Sequence, residues 1–386
     1  MKIVFVSNYY NHHQSAFSEA MVRLLGDGYA FISTTPVESE RINMGWSATD
    51  RPPFVLLAYA SSEDQEKCKK LILEADCVIW GDAPRTYLKQ RLAQKKLTFL
   101  YTERIFKSGF QYKKWPMTFL RHFYIFGRHS NLYLLCASAY TATDFAKLLL
   151  FKNKAFKWGY FPQVKHFSDI HVVLQPKASC SITWAARFID WKHPELPILA
   201  AKQLKDSGYT FSMNLIGTGA LEASMKSLVS DLALQDCVHF LGAMSPDNVR
   251  KHMENSEIFL CTSDFNEGWG AVVNEAMSSG CAVVASHAMG SVPYLIHHNN
   301  NGFIFESENL SDLVRNLRYL LDHSEQRAAI GAAAYATIRD TWNANIAAER
   351  LIALTQSLLE NKRTSPYTTG PRSTAQLLNN NWYHGV

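Results

Sequence analysis

Glu267-Gly268-Trp269-Gly270-Ala271-Val272-Val273-Asn274-Glu275-Ala276-Met277 lies between two short apolar runs, 258–261 and 282–285. Each run has the length and continuous hydrophobicity of a strand buried on both faces. Eight positions separate the two carboxylates, a little over two helical turns, or about 12 Å if all were helical. Glycines on both sides of Trp269 disfavour helix there. The spacing therefore predicts Glu267 on a loop, a helix starting near Gly270, and Glu275 one or two turns inside it. The free N–H groups of that helix would face the same side as both acids and would favour an anion such as phosphate. The same spacing also fits a loop acid and a solvated helix acid.

Strand, loop, helix, strand is the unit of a doubly wound parallel sheet, and it recurs outward from this stretch. Upstream, 181–185, 211–216 and 238–241 read as strands, and 197–204 as a helix. Ser245 and Pro246 suit the cap and first position of another helix. Downstream, 309–322 reads as a helix and 325–360 as helical and rich in alanine. Nearer the start, the apolar runs 2–6, 77–80, 97–101 and 132–136 repeat the pattern, with helical spacing over 16–25. Residues 153–179 break the rhythm and are assigned as a linker. The expected domains are 1–165 and 166–340, then a helix at 341–360 that packs back on the first domain, then a weakly ordered tail at 361–386.

The chain has 386 residues, 47% hydrophobic and 19% charged, with a formal net charge of +5. This is globular composition, long enough for two cores. The charge is too mild to imply a nucleic-acid partner. Seven scattered cysteines without a CxxC pair read as buried thiols in a reducing compartment. No apolar run reaches the roughly 18 residues that span a bilayer, and the first apolar run is too short for a secretory signal. A cytoplasmic protein is the expectation.

Two further constellations follow strand ends, where doubly wound sheets hold ligands. In Ala185-Ala186-Arg187-Phe188-Ile189-Asp190-Trp191-Lys192, Arg187 can clamp two oxygens and Lys192 is a compact charge, a pair suited to a diphosphate. Two solvated loop cations would look the same. Ile216-Gly217-Thr218-Gly219 allows close approach of backbone to a ligand, and equally a tight strand-to-helix turn.

Taken together and in this order, these motifs resemble the family 4 retaining glycosyltransferases of GT-B fold. Glu267 and Glu275 stand as the Glu-x7-Glu pair, Arg187 and Lys192 as the diphosphate-binding cations, and Gly217-Thr218-Gly219 as the glycine turn. Val238 to Gly242 resembles the strand before the nucleobase loop, and Asn301-Gly302-Phe303 a recurring turn. The resemblance covers roughly 181–305 and is only architectural before it. It implies two Rossmann-like domains facing an interdomain cleft, and sugar transfer from a nucleotide-diphosphate sugar to a lipid-linked or saccharide acceptor in polysaccharide assembly. Glu267, Arg187 and Lys192 would be catalytic. Glu275, Gly217, Gly219, Gly242, Gly268, Trp269 and Gly270 would bind the donor. No DxD motif is present, and neither a metal nor another cofactor is expected. A nucleotide-sugar 2-epimerase and a non-catalytic binding subunit share the architecture.

The first 165 residues depart from that pattern. The loop after the first strand has no glycine and carries His12, His13 and Gln14; Thr102-Glu103-Arg104 follows the strand at 97–101. His12, His13, Gln14, Glu103 and Arg104 are the acceptor-side candidates. From Ile105 to Thr143 there is no acid, while Lys107, Lys113, Lys114, Arg121 and Arg128 alternate with aromatics. Segment 105–129 suits an anionic membrane surface and would make the protein peripheral on the inner face of the cell membrane; aromatics of an ordinary core are the other reading.

Overall fold

The computed structural model describes residues 1–38, 51–167, 170, 180–362 and 367–384. They form two compact units: 1–163 with 342–379, and 164–341 with 380–386.

The first unit is built on a seven-stranded sheet: β1 (Ile3–Ser7), β2 (Tyr29–Ser33), β3 (Val55–Leu57), β4 (Cys77–Trp80), β5 (Thr98–Thr102), β6 (Leu132–Cys136) and β7 (Ala155–Lys157). The spatial order is β3-β2-β1-β4-β5-β6-β7, with every pair parallel. β1 is the pivot, because the winding reverses between β1 and β4. Val4, Val6, Val78 and Leu134 bury one face of the sheet and Ile3, Phe5, Ile79 and Phe99 the other, as parallel sheets require. Some helices of this unit start where polar side chains cap them. The Asn11 side chain accepts the His13 N–H, and Ser61 accepts the Asp64 N–H. Such a cap contributes about 1 kcal/mol.

The helix Ala344–Leu359 completes this unit by packing on the helix His12–Leu25, and the Arg23 guanidinium donates to the Asn345 side chain at 2.7 Å. The expected single helical run over 325–360 is therefore two helices, Ser324–Asp340 and Ala344–Leu359, broken at 341–343 where Asn343 caps the second. Residues 367–379 also pack here. The Lys157 N–H donates to the Ser373 carbonyl at 2.7 Å, and the Arg372 N–H to the Lys157 carbonyl at 2.8 Å. This antiparallel strap covers the free edge of β7, the kind of edge that otherwise invites pairing with another chain.

The second unit carries six parallel strands: β8 (Cys180–Ala185), β9 (Phe211–Ile216), β10 (Val238–Gly242), β11 (Ile258–Cys261), β12 (Ala282–Ser286) and β13 (Phe303–Phe305). Their order is β10-β9-β8-β11-β12-β13. The winding reverses between β8 and β11, so the loops after these two strands diverge from one point. Trp184, Phe188, Leu215, Leu260 and Val284 fill its core. Ser245 caps the helix Pro246–Glu254 with Pro246 at its first position, as expected. Of the linker placed at 153–179, residues 155–157 form β7, and residues 168–169 and 171–179 lie outside the described residues. All seven cysteines are buried.

Candidate functional site

At the carboxyl ends of β8 and β11, the Lys192 ammonium is ion-paired with the Glu267 carboxylate. Both side chains are largely buried, at 14% and 12% exposed. The same carboxylate oxygen accepts the Ser263 hydroxyl at 3.1 Å. Thr262 ties the two loops below this pair: its hydroxyl donates to the Lys192 carbonyl at 2.7 Å and accepts the Trp184 indole N–H at 2.8 Å. The Asp264 N–H donates to the Trp191 carbonyl at 3.1 Å. Lys192 also lies 4.3 Å from the centre of the Trp191 ring, and Arg187 5.9 Å from it. Sequence positions 75 apart thus meet at the switch point of the sheet, where the ends of diverging loops leave a crevice for ligand.

His193 follows with φ of 49°, a left-handed turn that bends the chain out of the short turn Asp190–Lys192. Its Nδ1 is 2.8 Å from a Glu195 carboxylate oxygen and its Nε2 is 3.7 Å from Asp264. The Glu195 hydrogen bond raises the imidazole pKa against the opposing effect of burial.

The glycine turn is sterically enforced. Gly217 has φ of 131°, and a Cβ there would lie 1.9 Å from the Ala186 carbonyl oxygen. A Cβ on Gly219 would lie 2.4 Å from the Phe188 carbonyl oxygen. The Phe188 N–H donates to the Thr218 carbonyl at 2.9 Å, and the Gly217 N–H to the Gly242 carbonyl at 2.8 Å. Gly217, Gly219 and Gly242 therefore hold the loop bearing Arg187 against the ends of β9 and β10.

Gly270 caps the helix Ala271–Ser278 with φ of 81° and no side-chain cap. A Cβ there would collide with the Met289 methyl at 2.4 Å. Glu267 is on the loop and Glu275 is on the helix. Glu275 keeps a partly exposed edge, yet burial pushes its carboxyl up to about 7, with Arg250 pulling the other way. Gly268 is buried. Trp269 corrects an expectation: its side chain is fully buried and its indole N–H donates to Asn274 at 2.8 Å. It fixes the loop from beneath and presents no ring to a ligand.

In the first unit, the β1 and β4 loops also diverge from a switch point. There the Asn8 side chain donates to Asp82 at 3.1 Å, a link that the sequence reading missed. Asn8 directly follows β1 and Asp82 follows β4 after one glycine, which was the available signal. His12 and His13 open the helix with ring centres 4.0 Å apart, and Tyr160 lies 5.6 Å from His13. Glu103 accepts the Tyr160 hydroxyl at 3.0 Å and the Lys107 ammonium at 2.8 Å.

Two acceptor-side expectations are corrected. Gln14 is buried, and its side chain accepts the Asn11 N–H at 3.1 Å, closing a capping box. Arg104 has a buried side chain within 3.4 Å of buried Asp144 and 4.8 Å from the Tyr140 ring centre. Asp144 also accepts the Ile105 and Phe106 N–H groups at 3.0 Å each. Gln14 and Arg104 shape loops.

Residues 173–337 match the family model of glycosyl transferases group 1. The chain is 30% identical over 178 residues to the amylovoran biosynthesis glycosyltransferase AmsK of Erwinia amylovora, covering 45% of this chain and 44% of that protein. It is 25% identical over 193 residues to the putative colanic acid biosynthesis glycosyltransferase WcaL of Escherichia coli, covering 48% and 47%. The matched stretch thus spans under half the length of these curated relatives. The crystal structure of Anabaena HepE in complex with UDP superimposes with a TM-score of 0.67 at 16% identity, covering 93% of this chain and 100% of that one. Sucrose-phosphate synthase of Thermosynechococcus elongatus gives 0.64 at 15% identity, covering 94% and 100%. The chain has the two-sheet GT-B fold, and the stretch that matches glycosyl transferases group 1 falls on its second sheet.

Proposed function

We propose that the protein is a retaining glycosyltransferase of polysaccharide biosynthesis, moving a sugar from a nucleotide-diphosphate donor to a saccharide or lipid-linked acceptor. The observation that carries this reading is the Lys192–Glu267 pair at the β8/β11 switch point, with Arg187 on the same loop as Lys192. It is supported by the names of AmsK and WcaL, and by the UDP in the HepE crystal.

In this reading the acceptor hydroxyl oxygen bonds to the anomeric carbon as the bond from that carbon to the diphosphate oxygen breaks. The electron pair leaves with the nucleoside diphosphate, which also takes the hydroxyl proton. Negative charge grows on the diphosphate, and Arg187 and Lys192 stabilise it there. These two cations supply the positive charge, so turnover persists in excess EDTA. Positive charge grows on the sugar, where Glu267 opposes it. Glu275 accepts the ribose hydroxyls, and Gly217, Gly219, Gly242, Gly268 and Gly270 let backbone approach the donor. His12, His13 and Glu103 contact the acceptor.

A thermal-shift panel of nucleotide sugars, followed by product analysis, tests the reading. A ligand at 100 times its dissociation constant adds about 2.7 kcal/mol of stability. The expected result is one stabilising donor and transfer of its sugar to an added acceptor. Conversion of that donor in the absence of acceptor would show an epimerase, and binding without turnover a subunit.

A further inference from the structure

The acid-free segment divides its aromatics between two faces. Phe106, Phe110, Trp115, Phe119 and Phe126 pack against the core of the first unit. The Trp115 indole N–H donates to the Lys147 carbonyl at 2.8 Å, which pins the helix Trp115–His122 in place. The opposite face holds Tyr112, Met117 and Leu120, exposed to 79%, 69% and 65%, beside exposed Phe123 and Tyr124. Five of the twelve large exposed apolar residues among the described residues thus fall within 112–124. An apolar patch of this density marks a contact surface.

Its charge says what it contacts. Lys113, Lys114, Arg121 and Arg128 are all exposed around it. Arg85 arrives from a neighbouring loop, 5.3 Å from the Tyr124 ring centre, and Lys147 lies 5.4 Å from the Phe110 ring centre. Among the described residues, Lys107 alone of these cations has an ion pair, with Glu103. A cavity of about 360 Å³ opens beside this patch, lined by Arg104, Phe106, Lys107, Phe110 and Lys114 among others. A second copy of the chain would oppose cation to cation across the patch, which costs energy. An anionic lipid surface instead meets the cations with phosphates and the apolar side chains with acyl chains.

We propose that the outer face of residues 112–128 docks the protein on anionic phospholipid, with Met117, Leu120 and Phe123 entering the interface and Lys113, Lys114, Arg121 and Arg128 on the head groups. The eight-residue helix is too short to span a bilayer, and it lies along the surface. Docking does not depend on the sugar chemistry, so it stands or falls separately from the transferase reading.

The test is flotation of the full-length chain with vesicles of phosphatidylcholine alone or with 30% phosphatidylglycerol. Binding to the anionic vesicles only, weakened by salt, is expected. Each basic residue removed weakens binding about fivefold, so Lys113→Gln, Lys114→Gln and Arg121→Gln together lose about a hundredfold. Leu120→Ser with Phe123→Ser removes the salt-resistant part. All these side chains are exposed, so an unchanged melting temperature verifies folding. Equal binding to neutral vesicles, or binding indifferent to both sets of variants, overturns the proposal. So does self-association that the Leu120→Ser/Phe123→Ser variant abolishes in a chain that ignores vesicles, because the occupant would then be a second copy.

Discussion

The Lys192 ammonium reaches from the loop after β8 to the Glu267 carboxylate on the loop after β11, and Ser263 donates to the same oxygen. Each charge is the main partner of the other while no ligand is bound. Removing one leaves the other mostly buried and unpaired, a cost intermediate between exposed and fully buried pairs, roughly 1–3 kcal/mol. Lys192→Ala should lower both the melting temperature and kcat/KM. Arg187→Ala should lower kcat/KM about tenfold or more with little change in melting temperature, because Arg187 makes no ion pair among the described residues. Melting curves and steady-state kinetics on both variants check this. Equal loss of stability in the two would contradict the separation.

The glycine turn should be intolerant of a single methyl group. In Gly217→Ala the new Cβ meets a carbonyl oxygen at 1.9 Å, at a φ of 131°. Backbone must shift, at a cost of about 2–4 kcal/mol. Gly208→Ala is the control for unusual φ alone, because Gly208 has φ of 80° with nothing within 4 Å of the added Cβ. Chemical denaturation should show the first substitution to be the more damaging.

Glu275 gives a pH dependence of definite sign. Its folded pKa is raised to about 7 by burial, above the unfolded value near 4.5. The folded state therefore holds the proton more tightly, and this group's contribution to stability falls as pH rises from about 4.5 to 7. In the proposed function ribose hydroxyls would donate to the ionised carboxylate, so donor binding should release a proton and tighten as pH rises through 7. Calorimetry in buffers of different ionisation enthalpy measures that proton. Glu275→Gln should abolish both effects and raise the donor KM more than it changes kcat. Glu267→Gln should lower kcat more than it changes KM.

Arg104 and Asp144 should matter to stability and not to chemistry. Breaking a buried pair costs about 3–5 kcal/mol, and Asp144 also holds two backbone N–H groups. Asp144→Ala should depress the melting temperature by several degrees while the acceptor KM of the folded fraction stays unchanged. A raised acceptor KM with normal melting would place this pair at the substrate.

Where apolar runs were continuous, the fold was legible: β4, β6, β9 and β11 run over the residues expected, and Ser245 caps as its position suggests. β2 was missed although its run is largely apolar, and β3, β7 and β13 escaped because three-residue edge strands have no period to read. Residues 367–384 read as a loose tail because their composition is polar. Composition does not register backbone pairing, and it is the backbone of Arg372, Ser373 and Ala375 that bonds β7. In the candidate site, Glu267, Lys192 and the glycines were legible because strand ends and φ requirements leave sequence traces. The burial of Arg104 and Trp269 was not, because burial is decided by distant residues: Asp144 for one and the core around Tyr294 for the other.

The central claim is that Arg187 and Lys192 hold a nucleoside diphosphate. Calorimetric titration of the wild-type chain with each nucleoside diphosphate and its matching monophosphate tests it most directly, repeated with Arg187→Ala and Lys192→Ala. The account predicts one diphosphate bound well above its monophosphate, and a loss of about tenfold or more in each variant. Equal affinity for diphosphate and monophosphate, or variants that bind as the wild type does, would contradict it.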